Sequence, residues 1–208
     1  MNLLEESWTQ REEVIYPKLF GNTGAGIYPL DMSIFSNQFN VKQVDPRWLH
    51  YGVFKCPPTA ARNTWVYVTS GMSNPWENDE PQEYSGFGIE LILETEGEHD
   101  WAISILHSLL AFNILISVGH YGNKPLIDYD DRIPQSIEPN ISSLMVVLPK
   151  QFPTSFELIS GRVDCLQITG ITAQELELAK ESDSNVLAEK LYNHYESYKV
   201  TPNRLSVV

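Results

Sequence analysis

The amino-acid sequence predicts an α+β fold, in which a mixed, largely antiparallel sheet packs against a central buried helix and terminal helices. Runs of β-branched and aromatic residues follow one another without a helix after each run, as at residues 65–69, 84–94 and 143–148, which is typical of mainly antiparallel sheets. Residues 101–118 are apolar on almost all sides, which predicts a helix buried inside the fold. The stretch from residue 172 onward has the periodicity of amphipathic helices.

The chain opens with a helical pattern. Residues 7–10 match a capping box, and residues 9–12 match the same motif in a second register. The helix that begins there is expected to carry the apolar residues Trp8, Val14, Ile15 and Leu19. Pro17 is expected to bend or end this helix near Tyr16, because proline lacks the N–H that the helix needs. The glycine-rich residues 20–26 lack the Gly-Lys-Ser/Thr of a phosphate-binding loop, so we interpret them as a flexible turn.

The central part of the chain is predicted to form several strands. Residues 45–54 lead into a strand, which Pro57 and Pro58 end because proline cannot donate to a sheet ladder. Strands at residues 65–69 and 84–94 follow. In the second of these, one series of alternate residues carries carboxylates, which predicts a sheet face towards water: Glu90, Ile92 and Glu94.

The long apolar helix follows these strands. Asp100 is its expected N-cap and Gly119 is a natural stop for it. Polar residues interrupt it, so we interpret it as a buried helix and not as a membrane span, which needs about 20 predominantly apolar residues. We predict that His107 is a hydrogen-bonded core residue. The predicted core side chains of the helix are Ile105, Leu109, Phe112 and Leu115.

The C-terminal half is predicted to alternate short strands with turns before it becomes helical. Residues 119–134 read as a loop with a short edge strand, and residues 143–148 as a compact apolar strand. Residues 156–159 and 163–169 flank a Ser-Gly turn, which predicts a β-hairpin. A capping box at residues 172–175 predicts one helix, and a second helix carries a stripe formed by Leu187, Leu191, Tyr195 and Tyr198.

The composition limits the class of protein. The 208 residues fit one large domain, and we expect a single domain over residues 1–208. The net charge of −13 argues against nucleic acid or an anionic membrane as partner, and it favours either simple solubility or a basic partner. Cys56 and Cys165 lie far apart, which predicts buried thiols in a reducing compartment. The first residues show no basic and no apolar region of a secretion signal, so we expect a cytoplasmic protein.

The sequence lacks the motifs of catalysis and of metal binding. The five histidines show no metal-ligand spacing, and residues 128–131 begin like a calcium loop but lack its glycine and its final glutamate. No GxSxG nucleophile motif occurs. We therefore predict that the protein is not an enzyme and binds no cofactor and no metal. The alternative is a hydrolase that uses His120 with Asp130 or Ser73.

Two acidic clusters are the candidate partner-binding residues. The first surrounds a tryptophan and consists of Trp76, Glu77, Asp79 and Glu80. The second consists of Asp128, Asp130 and Asp131. Each is either a solvated loop or a surface for a cationic partner, because carboxylates attract basic groups and a tryptophan supplies contact area.

Three stretches together resemble the Suppressor of fused domain in its bacterial form. They are residues 47–54 leading to 65–73, residues 86–91 followed by the helix from Trp101, and residues 163–176. The resemblance covers roughly residues 40–180. It implies an α/β sandwich-like domain without known catalysis. The animal member of this family binds transcription factors of Hedgehog signalling and has a further C-terminal region, whereas bacterial relatives are proposed to act as immunity proteins in toxin systems.

Residues and resemblance together predict a cytoplasmic immunity protein that binds and neutralises a toxin domain, such as a basic nuclease. Inhibition by occlusion needs no catalytic residue, and the negative charge would speed encounter with a basic partner. The alternative in a different class is a peptide-binding regulatory scaffold with a groove or an open sheet edge. The oligomeric state, the identity of the partner and the binding face stay open.

Overall fold

The computed structural model describes residues 2–208. Its strands are β1 Ile27–Pro29, β2 Gly52–Cys56, β3 Trp65–Ser70, β4 Tyr84–Thr95, β5 Arg132–Ile133, β6 Ser143–Val147, β7 Ser155–Leu158 and β8 Gly161–Ile171. Its α-helices are α1 Leu3–Thr9, α2 Tyr16–Phe20, α3 Ser33–Asn37, α4 Asp100–Ser117, α5 Ala173–Glu181 and α6 Ser184–Tyr195. A π-helical segment, Gln10–Ile15, joins α1 to α2, and a 3₁₀ turn, Pro46–His50, precedes β2.

The strands form one eight-stranded sheet. The order is β1-β2-β3-β4-β8-β6-β5, and β7 pairs with the first part of β8. Only β4 and β8 run parallel among these neighbours. The predicted class, a mixed and largely antiparallel sheet with a central helix and terminal helices, is therefore confirmed.

Both faces of the sheet are covered. On one face, α4 packs over β2 and β3, and alternate strand residues such as Val53, Tyr67 and Leu93 point into this cluster. On the other face, α2 covers Phe54 and Ile92, and α5 and α6 cover a third cluster beneath β6. The predicted water-facing side of β4 is thus wrong: Glu90 and Glu94 are buried, because the N-terminal helices and the C-terminal segment close that face.

The helix α4 is the core helix that its sequence predicts. Ile105, Leu109 and Leu115 are buried, whereas Phe112 is only half-buried and packs at the edge of the cluster. Among residues 2–208, α4 is the one helix long and apolar enough to cross a membrane, but most of it is buried, as in a core helix. Its N-cap is His99, with no side-chain cap bond; Asp100, the expected cap, is instead its first residue.

The N-terminal helix differs from the sequence-based prediction. It begins at Leu3, where Asn2 and Glu5 form the capping box, and it does not end at Pro17 but continues to Phe20. The π-helical segment shifts the phase of the side chains, so the buried face passes from Ser7 and Arg11, four residues apart, to Tyr16, five residues further on. Val14, which lies three residues after Arg11, is consequently 59% exposed.

Most local predictions for the rest of the chain are confirmed. The hairpin of β7 and β8, the short edge strand β5 and the capping box at Thr172 and Glu175 are all present. Residues 46–50 form a 3₁₀ turn where a strand was expected to begin, because Pro46 starts the turn and the Asp45 side chain accepts a hydrogen bond from the Arg47 N–H.

Candidate functional site

The connection between β3 and β4, which carries the first acidic cluster, divides into a buried half and an exposed half. Residues 71–75 are buried, Trp76 is half-buried, and Glu77, Asp79 and Glu80 are exposed, as their sequence predicts. The Trp76 ring lies against the His50 ring at 5.6 Å between centroids and packs on the α4 cluster. We call residues 71–80 the Trp76 loop.

A buried carboxylate holds the first half of the Trp76 loop. Glu90 Oε1 accepts hydrogen bonds from the Gly71 N–H (3.1 Å), the Ser73 N–H (3.0 Å) and the Ser73 hydroxyl (2.7 Å). Glu90 Oε2 accepts a hydrogen bond from the Thr69 hydroxyl (2.6 Å). These four donors replace the water that the ion loses on burial, so they fix the turn that follows β3.

A buried arginine from the N-terminal helix fixes the same turn. Arg11 Nε donates to the Ser70 hydroxyl (3.1 Å), and its Nη1 donates to the Ser73 hydroxyl (2.9 Å) and to Asn74 Oδ1 (2.8 Å). Its Nη2 pairs with Glu12 at 3.2 Å. Sequence reasoning missed Arg11, because a charged side chain is expected on the solvent face of a helix, although Arg11 lies four residues after the buried Ser7 and therefore on the same face.

A cavity of about 230 Å³ opens beside Trp76, and we call it the Trp76 pocket. Aromatic rings of Trp48, Tyr51, Trp76 and Phe87 form much of its wall, and Val118 at the end of α4 contributes an apolar side chain. The wall thus combines four stretches that lie far apart in sequence. A concave, mostly apolar surface with a few polar groups is the usual form of a binding site.

The polar part of the Trp76 pocket includes two donors without acceptors. Asn74 Nδ2 and Trp76 Nε1 are both buried, and neither makes a hydrogen bond to a described residue. Burial raises the pKa of the Tyr51 phenol above its ordinary value and outweighs the effect of the nearby Trp76 indole, which acts to lower that pKa. Buried donors that lack a partner are uncommon, because each costs about 1–3 kcal/mol.

The rim of the Trp76 pocket carries a small ion cluster. Arg47 pairs with Asp45 (2.8 Å) and with Glu77 (2.5 Å), and its side chain is 47% exposed. The hydrogen bonds from Arg47 hold the pKa of Asp45 below its usual range. Asp79 and Glu80 extend the rim towards solvent without an ion pair to a described residue.

The second acidic cluster lies elsewhere on the sheet, beside β5. Asp131 accepts a hydrogen bond from the Asp128 N–H (2.9 Å), and Asp130 accepts one from the Asn185 side chain (3.2 Å). The strands β4, β8 and β6 lie between this cluster and the start of the Trp76 loop. The structure therefore does not bring the two clusters together, and the role of all seven predicted residues in partner binding stays a prediction.

A larger apolar cavity of about 440 Å³ lies next to Asp131. The half-buried Phe112 of α4, together with Leu109 and Ile133, lines it. Lys124 lies over the Phe112 ring at 4.8 Å from the centroid. This cavity follows one side of α4 and ends at the edge strand β5.

The proposed hydrolase residues are not assembled. His120 is exposed and contacts Tyr121 edge-on at 4.8 Å, and no hydrogen bond between described residues joins it to Asp130 or Ser73. The Ser73 hydroxyl is buried and donates to Glu90. His107 is buried, as predicted, within 3.1 Å of the Tyr28 carbonyl, and burial lowers its pKa. In the part of the chain that the structure describes, no three His, Cys, Asp or Glu side chains converge as metal ligands.

The sequence model of the family described as Suppressor of fused protein (SUFU) matches residues 47–204. This match extends beyond the predicted resemblance to include α6 and the segment after it. No curated protein matches the chain.

Solved structures share the fold at low sequence identity. A Suppressor of fused homologue from Neisseria gonorrhoeae FA 1090 is 15% identical, with a TM-score of 0.66 over 97% of each chain. A chain of the Sufu-Fu complex is 20% identical, with a TM-score of 0.61 over 84% of this chain and 88% of that chain. Drosophila Suppressor of Fused is 18% identical, with a TM-score of 0.57 over 76% of this chain but only 42% of that chain. The sequence match over most of its length shows that this chain belongs to the Suppressor of fused family.

Proposed function

We propose that this protein is a non-catalytic binding domain that acts in the cytoplasm as an immunity protein and neutralises a basic toxin domain. The observation that carries the proposal is the Trp76 loop, in which a half-buried tryptophan beside a preformed pocket is surrounded by exposed carboxylates. Family membership supports a protein partner, since one structure in the family is that of a Sufu-Fu complex.

The Trp76 loop has the properties of an interface hot spot. A large aromatic side chain at the centre supplies most of the contact area, and charged groups around it exclude water and choose the partner. Glu90 and Arg11 hold the base of the loop from two directions. A partner therefore meets a preorganised surface and loses little free energy to ordering it.

The charge favours a basic partner over a neutral one. The chain carries a net charge of −13, and part of it lies on the exposed half of the Trp76 loop, where Glu77 lines the pocket and Asp79 and Glu80 follow in sequence. Electrostatic attraction raises association rates above the about 10⁵–10⁶ M⁻¹s⁻¹ of neutral pairs, and added salt lowers them again. An inhibitor of this kind needs only to cover the active surface of the toxin.

The direct test is co-expression with the toxin encoded beside the gene. We expect that co-expression restores growth and that the two proteins can be purified as a complex. The proposal is refuted if the cells die with and without this protein and no complex forms at micromolar concentration.

The contact surface is tested by the triple variant Glu77→Lys, Asp79→Lys and Glu80→Lys, which should slow association about tenfold or more at low salt.

A matched control separates a local effect from total charge. The triple variant Glu177→Lys, Glu181→Lys and Glu189→Lys changes the net charge by the same amount at exposed positions on α5 and α6. Its association rate should fall much less. Equal effects of the two triple variants would leave the function intact and contradict the Trp76 loop as contact surface.

A second candidate, the peptide-binding regulatory scaffold, rests on the apolar cavity beside α4. That cavity of about 440 Å³ ends at β5, a two-residue edge strand to which an extended segment could add. Replacement of Phe112 by serine should abolish peptide capture in this case but leave toxin binding unchanged. Peptide display followed by titration of the Phe112→Ser variant distinguishes the two candidates.

A further inference from the structure

We infer that the Trp76 pocket is a binding site for a neutral carboxamide, the side chain of a glutamine or asparagine on the partner. That the carboxamide belongs to a partner protein rests on the proposed protein-binding function. That the pocket prefers a carboxamide does not rest on it. The inference starts from the two buried donors, Asn74 Nδ2 and Trp76 Nε1, which have no acceptor among the described residues.

The orientation of Asn74 is determined by its neighbour. Its Oδ1 accepts a hydrogen bond from Arg11 Nη1 at 2.8 Å, so the amide cannot be turned over without placing two donors against each other. Asn74 is 1% exposed and lines the pocket. Its Nδ2 is therefore a donor of fixed orientation, and an oxygen atom of an occupant could accept its hydrogen bond.

The rim of the Trp76 pocket supplies hydrogen-bond acceptors, which complement the buried donors. Glu77 lines the same pocket and offers carboxylate oxygens, which accept hydrogen bonds. A carboxamide carries both functions on one planar group: its oxygen accepts from the inner donors, and its NH₂ group donates to the rim. The Trp48 and Phe87 rings can contact the rest of such a side chain.

Charged occupants fit less well. A carboxylate would satisfy the inner donors but would meet Glu77, with Asp79 and Glu80 nearby. An alkylammonium would suit those carboxylates but would bring further donors to Asn74 Nδ2 and Trp76 Nε1, which need an acceptor. The volume of about 230 Å³ is sufficient for one short side chain.

Entry requires a small movement of the pocket wall. Both inner nitrogens are shielded from water, so an occupant reaches them when the Trp76 ring turns. The Trp76 indole N–H is consequently the natural reporter of binding.

The test is a titration of the ¹⁵N-labelled protein with propionamide, followed through the indole N–H resonances. Replacement of Trp76 by phenylalanine assigns its signal. A ligand of this size binds with a dissociation constant of roughly 1–100 mM, so titration to about 200 mM should give a saturable shift of the Trp76 signal. Propionate and propylammonium at the same concentrations and ionic strength should shift it at least about fivefold less.

The decisive variant is Asn74→Asp, which keeps an oxygen acceptor for Arg11 and replaces the NH₂ donor with a negatively charged acceptor oxygen. We expect propionamide to bind it about tenfold more weakly. If this variant does not fold, the Trp76→Phe variant is titrated with propionamide instead. Binding is then followed through the side-chain NH₂ signals of Asn74, and we expect a saturable shift of those signals. A non-saturable response, or equal binding of the three probes, overturns the inference.

The outcomes separate this inference from the proposed function. Selective propionamide binding without any toxin complex would support the pocket and refute the immunity role. A toxin complex that forms in the absence of a saturable propionamide response would support the immunity role and refute the carboxamide site.

Discussion

Replacement of Arg11 by methionine tests whether the buried guanidinium holds the Trp76 loop in position. Arg11 is 0% exposed and donates to the side chains of Ser70, Ser73 and Asn74 while it pairs with Glu12. Methionine retains most of the volume and the flexible stem, so the change removes chiefly charge and hydrogen bonds. The substitution therefore isolates the electrostatic role of this residue.

The expected loss follows from the contacts that remain. Removal of one partner of a buried ion pair costs about 3–5 kcal/mol, and hydrogen bonds to a charged group contribute about 1.5–3 kcal/mol each. The terms do not add, because the Ser70 hydroxyl still donates to Glu12 at 2.6 Å and Glu90 retains its own donors. We expect the free energy of unfolding to fall by about 3–5 kcal/mol in total.

Urea unfolding at pH 7, followed by circular dichroism, measures this loss as a lower midpoint with an unchanged m-value. Arg11→Lys keeps the charge but has fewer donors, so it should lose about half as much. Lys18→Met is the matched control, since it removes one exposed cation from the same helical stretch and should change stability by less than about 0.5 kcal/mol. A loss below about 1 kcal/mol for Arg11→Met would refute the structural role.

Three further outcomes are expected. Leu109→Ala should lower the free energy of unfolding by about 2–5 kcal/mol in urea titrations, because this side chain of α4 is buried in the core; a loss below about 1 kcal/mol would contradict a close-packed core there. Burial is the largest single influence on Glu175 and opposes its ionisation, but the hydrogen bonds and charge of Arg204 and the N–H groups of Thr172 and Val207 together outweigh it and lower the pKa of this carboxyl. Its contribution to stability is therefore complete above about pH 5 and is lost as the pH falls through the lowered pKa, so stability should depend less on pH between about 5 and 2 in Glu175→Gln than in the wild type. Burial raises the pKa of the Cys56 and Cys165 thiols to about 12 each. Neither thiol should therefore react with a disulfide reagent at pH 8 until the protein unfolds. Fast labelling of the native protein would show that the two thiols are not buried.

Local patterns in the sequence were sufficient for much of the fold. Residues 101–118 carry enough apolar surface that only the interior can accommodate them, and α4 is indeed the core helix. The turn between β7 and β8 and the cap at Thr172 depend on neighbours within a few residues, so they could be predicted without knowledge of the tertiary structure. The exposure of the carboxylates in the Trp76 loop could also be predicted from local sequence, because a run of polar residues between strands is rarely buried.

Tertiary structure decided the features that no local pattern encodes. The sequence alternation in β4 indicated one wet face, yet Glu90 is buried, because the N-terminal helical stretch covers that face and its Arg11 holds Ser73, which donates to Glu90. Arg11 lies on the same helical face as the buried Ser7, but a buried guanidinium is possible only because the side chains of Ser70, Ser73 and Asn74, distant in sequence, accept its hydrogen bonds. The Trp76 pocket exists because residues 47–51, 74–78, 86–87 and 117–118 meet in space. Such contacts depend on how strands pair and how helices pack over them, and these long-range choices leave no periodic signal in the sequence.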